Sequence, residues 1–274
     1  MQDNTSKLLK EKLLELLSWF HHFCEKHGLR YYALGGTMLG AARHHGFIPW
    51  DDDIDVGMPR PEYERFRALM EKEAQARFLL ETPENSGKDY FYPFFKLYDT
   101  TTTLVENTRY RLKRGVYLDI FPLDGFGRTE EEARETFARI KKAHNLLLCR
   151  VAGWRKGRKL HKNLAAKFMQ LLPFINNKKL LLQLCDKCKE KDYAACTWVG
   201  NPVGAWGMRE IMPVEVMGEP TLCTFEDLQI YGVADPDAYL TRLYGNWKQP
   251  PPPEKQVTHH DFICLDLNKS YLED

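Results

Sequence analysis

Between residues 6 and 27 the large apolar side chains recur at steps of three and four: Leu9, Leu13, Leu16, Leu17, Phe20 and then Phe23 or Cys24. This spacing predicts an amphipathic helix, and Gly28 supplies a stop. Residues 31–34 form a short apolar run broken by Gly35 and Gly36, the pattern of a strand entering a tight turn. Thr37 is placed to cap a short helix through Arg43. Over residues 51–57 acidic and apolar positions alternate, as in a strand with one face in the core. Pro61 then opens a helix with Tyr63, Phe66, Leu69 and Met70 on one side. Two β-rich runs follow, at 92–98 and 115–121, the second closed by Pro122.

From Thr129 the period becomes helical, with helices predicted over 129–150, 161–173 and 178–193. Further on, Asp235, Pro236 and Asp237 read as a cap, a first-turn proline and a dipole-favoured acid. They open a helix carrying Tyr239, Leu240, Leu243 and Tyr244 that ends at Gly245. Four prolines at 250–253 predict a stiff extended strap over the surface. The expected class is α/β (α+β). A core with its N-terminal helix spans 1–128, a basic helical insertion 129–195, and a C-terminal segment packing back on the core 196–274.

Composition changes this picture little. Of 274 residues, 43% are hydrophobic and 28% charged, ordinary for a chain able to bury its own core. No stretch approaches the roughly 20 apolar residues of a membrane span, and the polar N-terminus lacks the apolar centre of a signal peptide. Seven cysteines, an odd number without framework spacing, point to reduced thiols and a cytoplasmic location. The net charge of +1 hides an uneven distribution. From Lys141 to Lys191 there are 14 lysines and arginines against Asp186 and Glu190, a surplus of 12 that includes Arg155, Lys156, Arg158 and Lys159. Such a stretch suits a polyanionic lipid-linked glycan or peripheral contact with an anionic membrane surface at the inner face; a solvated face balanced elsewhere accounts for it equally. Nucleic acid is disfavoured, because no reading motif accompanies the charge.

The acids carry the chemistry. In a strand, Asp53 and Asp55 point the same way while Ile54 and Val56 point into the core. Asp51 joins them if the strand begins early enough; Asp52 does not. Two carboxylates side by side repel, and one is driven neutral unless a cation lies between them. Oxygen ligands of this kind suit a hard ion such as magnesium (Mg2+) or manganese (Mn2+). With Val116, Leu118 and Ile120 buried, Tyr117 and Asp119 face the other side of their strand. A metal shared with Asp53 and Asp55 accounts for so isolated an acid; a turn cap or a basic partner is the alternative. Asp124 is assigned to the turn that follows. Gly35, Gly36 and Thr37 expose backbone N–H groups at a helix start, where phosphate oxygens bind well.

The residues from Gly35, Gly36 and Thr37 to Arg43 and His44, and the run Gly46-Phe47-Ile48-Pro49-Trp50-Asp51-Asp52-Asp53-Ile54-Asp55, resemble the signature of the LicD family. The resemblance extends to Lys96, to the run from Leu118 and Asp119 to Asp124 and Gly125, and to Tyr244-Gly245-Asn246-Trp247 with the prolines after it. It is close over 28–125 and looser over 206–262. It implies a nucleotidyltransferase-like mixed-sheet catalytic core and a magnesium-dependent phosphotransferase. Such an enzyme moves phosphocholine, or a related phospho-alditol, from a CDP-linked donor such as CDP-choline to a sugar hydroxyl. The acceptor is a surface glycan precursor, lipopolysaccharide or teichoic acid, and CMP is released. Carried onto this chain, Asp53 and Asp55 match the paired metal ligands and Asp119 the third acid, also the candidate base. Arg43 and Lys96, with Gly35, Gly36 and Thr37, are candidates to hold phosphate oxygens.

Two other readings use the same residues. A nucleotidyltransferase releasing pyrophosphate would use the same acids, and a catalytically silent glycan-binding protein would use the basic and aromatic surface alone. A glycosyltransferase built on Asp-x-Asp fits the upstream glycine pair poorly. Phe91, Tyr92, Phe94, Phe95, Tyr98, Trp206 and Trp247 supply aromatics for a cage around a quaternary ammonium. Cys185 and Cys188, with Cys196 and Cys223, have zinc-like spacing but begin in a leucine-rich helical run, where buried thiols are common. His44, His45, His259 and His260 read as structural or loop residues.

Overall fold

The computed structural model describes residues 2–73, 75–151, 153, 159–172, 175–258 and 262–273. Arg155, Lys156, Arg158, His259 and His260 lie outside them. The fold is mixed α/β. Helix α1 (Gln2–His27) lays Leu13, Leu16, Leu17 and Phe20 into the core. Gly28 ends it with φ +59, a left-handed geometry that glycine takes without a Cβ penalty. Then follow β1 (Tyr32–Ala33), α2 (Gly35–His44), β2 (Asp55–Pro59), α3 (Arg60–Lys72), β3 (Phe78–Glu81), β4 (Phe95–Glu106) and β5 (Lys113–Gly127). The central order is β1-β2-β5-β4, with β2 parallel to β5 and the other neighbours antiparallel.

Several boundaries differ from the sequence reading: β4 runs on to Glu106, the helix predicted over 178–193 stops at Cys188, and three more shape the site. β2 begins at Asp55, because Asp51 N donates to Ile48 O at 2.9 Å in a turn and residues 51–54 stay irregular. α2 begins at Gly35, so Thr37 lies inside the helix rather than capping it. β5 runs straight through Pro122. Asp119 N donates to Ile54 O on the β2 side, so alternation turns the position of the missing Pro122 N–H to the opposite edge. On that edge β4 starts only opposite Ile120, and no ladder bond is lost. Asp124 is therefore a strand residue and not part of a turn. Its buried carboxylate accepts from Arg60 Nε at 2.7 Å and Nη2 at 2.6 Å.

A bulge interrupts the β4–β5 ladder between Asp99 and Leu104. There Val116 N donates to Thr102 Oγ1 at 2.8 Å, and a Cβ on Gly115 would collide with the Asp99 carbonyl oxygen. Beyond β5, α4 (Glu130–Val151), α5 (Leu160–Gln170) and α6 (Asn177–Cys188) follow. α4 and α6 bury Phe137, Ile140, Leu147, Leu181 and Leu184 in a second core with Phe126. Cys185 and Cys188 pack in that core, and burial pushes the Cys185 thiol up to about 12.

The rest of the chain returns to the sheet. β6 (Trp198–Gly200) pairs with β5 past Pro122 and with β7 (Ile211–Pro213). After α7 (Val214–Met217) come the hairpin β8 (Thr221–Phe225) and β9 (Leu228–Gly232), α8 (Pro236–Tyr244) and β10 (Phe262–Asp266), which pairs with β4. α8 starts as its sequence predicts: Asp235 Oδ1 accepts from Ala238 N at 3.0 Å, and Gly245 closes the helix with φ +73. No helix among the described residues is long and apolar enough to cross a membrane.

Candidate active site

Strand register brings the acids together. Asp55 of β2 stands opposite Asp119 of β5, and Asp119 stands opposite Lys96 of β4. Register partners share a sheet face, so one row across three strands carries two carboxylates and an ammonium. Lys96 Nζ donates to Asp119 Oδ1 at 2.8 Å from a position only 1% exposed. The same ammonium lies 3.3 Å from the centroid of the Tyr117 ring and 4.4 Å from that of Tyr92. Aromatic faces thus replace water around its charge. Tyr117 shares the face of Asp119, as the alternation predicts, and its hydroxyl donates to Glu106 Oε1 at 2.8 Å.

Asp51 and Asp53 approach the row from the irregular segment before β2. Burial is the largest cause holding Asp55 well above the usual carboxylate range; the charges of Asp53, Asp119 and Asp51 add to it, and Lys96 opposes them. Asp52 turns elsewhere and accepts from Thr258 Oγ1 at 2.7 Å.

The β1–α2 junction wraps Asp55. Its N–H donates to Thr37 Oγ1 at 2.8 Å, and its carbonyl accepts from Leu34 N at 3.0 Å. Gly35 has φ +48, and a Cβ on Gly36 would come within 2.6 Å of Asp51 Oδ2. Both glycines let carboxylates lie against the first turn of α2, where the helix dipole favours negative charge. Arg43 is placed apart from this group, about 12 Å along the helix axis from Gly35. Its Nη1 donates to Trp247 O at 2.8 Å and its Nε to His44 Nε2 at 3.0 Å, tying the end of α2 to the C-terminal segment.

A cavity of about 370 Å³ opens at Asp55 and Gly35. Phe91, Tyr92, Phe94, Phe121, Trp206 and Tyr244 supply its aromatic walls. Of the other aromatics expected there, Phe95 stacks on Tyr63 in the core at 3.7 Å, Tyr98 is buried, and Trp247 is held by Arg43. Glu210 also lines the cavity, although nothing in the sequence singles it out. Its Oε1 accepts from Trp206 N at 2.7 Å, and burial pushes its carboxyl up to about 7 against the pull of that N–H and of Asn201.

Among the described residues, no group of three His, Cys, Asp or Glu side chains is gathered tightly enough to hold a metal as the side chains stand. The donor chemistry nonetheless fits a hard cation. Asp51, Asp53, Asp55 and Asp119 are all oxygen donors, and Lys96 is the single positive charge among the influences on Asp55.

The sequence model of the LicD/FKTN/FKRP nucleotidyltransferase domain matches residues 28–146. The lipopolysaccharide cholinephosphotransferase LicD of Haemophilus influenzae is 32% identical over 255 residues, 90% of this chain and 92% of that protein. The chain belongs to the LicD family. Shorter likenesses join this LicD-family chain to the human ribitol 5-phosphate transferase FKRP, 56% identical over 34 residues (12% of this chain, 7% of that protein). An uncharacterised protein of Rickettsia typhi is 36% identical over 58 residues (21% and 19%). Every site residue read from the LicD signature falls within 28–146, whereas Trp206, Glu210 and Tyr244 of the cavity wall lie beyond it.

Proposed function

We propose that the chain is a phosphotransferase that moves phosphocholine from CDP-choline to a sugar hydroxyl of a surface glycan precursor, lipopolysaccharide or teichoic acid, releasing CMP. The observation that carries this reading is the row Asp55, Asp119 and Lys96 beside an aromatic cavity with a carboxylate in its wall. The name of the Haemophilus relative, a lipopolysaccharide cholinephosphotransferase, supports the transferred group and the acceptor class.

In the reaction the acceptor oxygen bonds to the phosphorus that carries choline. The bridging P–O bond breaks, and CMP leaves with its electron pair. Asp119, opposite Asp55 in the β2–β5 register and oriented by Lys96, is the group proposed to take the acceptor proton. The Gly35–Gly36–Thr37 turn presents the start of α2 to phosphate oxygens. A quaternary ammonium has no N–H to donate, so it is held by aromatic faces and by charge, which the cavity walls and Glu210 offer. Magnesium, or manganese in its place, bound by Asp53, Asp55 and Asp119 would neutralise the pyrophosphate.

Incubation with CDP-choline, magnesium and deacylated lipopolysaccharide tests the proposal. CMP release with choline on the glycan is the expected result. Pyrophosphate release would make the chain a nucleotidyltransferase, and glycan binding without any product would make it a binding protein.

A further inference from the structure

Helix α5 is packed the wrong way round for a helix of a water-soluble core. The side it buries carries Asn163 and Ala166, at 4% and 5% exposure. Its exposed side carries Leu160, Leu164 and Phe168, and Leu171 just past its end, at 63%, 52%, 63% and 72%. Steps of four, four and three put these side chains on one stripe. The orientation is held in place from behind. Arg150 of α4 donates to the carbonyls of Met169, Leu172 and Ile175, and Gln170 Nε2 donates to Cys149 O at 3.3 Å. A contiguous apolar stripe of this kind on a folded surface marks something that covers it.

Charge decides what that is. The stripe lies inside the stretch from Lys141 to Lys191 with its surplus of 12 positive charges, and Lys141, Lys142, Lys159 and Lys167 are exposed. A second copy of the chain would bring two such basic surfaces face to face, which is repulsive. A bilayer with anionic headgroups offers both an apolar layer and the opposite charge. We propose that α5 adsorbs the protein onto an anionic lipid surface, with Leu164 and Phe168 entering the headgroup–acyl boundary and the flanking lysines meeting lipid phosphates. α5 packs against the turn of α4 that holds Leu148, a residue of the cavity wall that is itself 43% exposed. On the proposed transferase reading, adsorption therefore holds the cavity beside the surface that carries a lipid-linked acceptor. The adsorption itself requires no substrate.

Co-sedimentation of the full chain with vesicles tests this, without donor, acceptor or metal. The protein should pellet with phosphatidylglycerol vesicles and less as salt is raised, and stay in solution with phosphatidylcholine vesicles. The double variant Leu164→Gln, Phe168→Gln should partition roughly tenfold less or weaker still. Its melting temperature should be unchanged, since both side chains already face water in the free protein. Wild type left in solution with both vesicles, or a variant that pellets like wild type, overturns the proposal. So does light scattering that finds a wild-type dimer and a monomeric variant, because the stripe would then be a self-association face.

Discussion

Lys96 reaches across the β4–β5 ladder to Asp119 at 2.8 Å and is a counter-ion built into the sheet. Breaking a buried pair by removing one partner costs about 3–5 kcal/mol, and Lys96→Met should lose stability on that scale in EDTA. Magnesium should restore more to the variant than it adds to wild type, because the cation then supplies the missing positive charge. Thermal melts with and without magnesium compare the two increments. Equal increments would reduce Lys96 to a packing role.

Asp55 is held well above the usual carboxylate range by burial and by the charges of Asp53, Asp119 and Asp51. In the cation-free protein the folded state therefore keeps a proton that the unfolded chain has released. Stability falls as pH rises from the ordinary carboxylate range through the raised value. Asp55→Asn removes this slope, so in EDTA at neutral pH it should match wild type or exceed it by on the order of 1 kcal/mol. At about 100 times its dissociation constant magnesium should add about 2.7 kcal/mol to wild type and little to the variant. A variant melting several degrees lower in EDTA would mark Asp55 as a structural hydrogen-bonding residue.

Asp53 and Asp52 are neighbours with different company. Asp53 is the largest like charge on Asp55, whereas Asp52 accepts from Thr258. Asp53→Asn should lower kcat by roughly 10²–10³-fold, the scale of losing one electrostatic stabiliser of a transition state. Asp52→Asn should keep most activity. Steady-state CMP release measures both, and equal losses would mean that the two side chains share one function.

Glu210, pushed up to about 7 by burial, changes charge within the ordinary assay range. Above that pH it is an anion in the aromatic cavity, so KM for CDP-choline should fall as pH rises from about 6 to about 8. Glu210→Gln keeps an acceptor for Trp206 N; it should flatten this step and raise KM roughly tenfold at the upper end. His144 lines the same cavity, but burial lowers it from its ordinary value, away from the upper end of this range. A step of the same size surviving in Glu210→Gln would belong to another group, and either that or a flat wild-type profile would remove Glu210 from donor binding.

What was legible in the sequence is what depends on local pattern. Gly35, Gly36 and the acids up to Asp55 lie within one short stretch, and alternation around Asp119 and Tyr117 gives their common face. The strand phase at Asp51 and Asp53 was not legible, because the Ile48–Asp51 turn delays β2. Asp124 looked like a turn residue because Pro122 reads as a terminator; which edge of β5 is unpaired there is decided by β4, a partner distant in sequence. Lys96 was visible as a candidate, but its engagement with Asp119 exists only through the β4–β5 register. Tyr244 carries a local signal in the Tyr244–Trp247 run, but its place in the cavity wall comes from tertiary closure; Glu210 joins the same wall with no local signal.

The bulge at Asp99–Leu104 separates two lengths of one hairpin. On its inner side lie Lys96 opposite Asp119; on its outer side lies the loop at 107–112. Lengthening a loop carries only a small entropic cost, and a ladder already offset at the bulge can take up a slip there. Insertions or deletions in the outer hairpin should thus leave the charged row in place. One residue removed between Val116 and Asp119 has no such buffer: it would turn Asp119 to the opposite face and put Ile120 in its place beside Lys96. Length variation in this hairpin is tolerable on one side of Gly115 and destructive on the other.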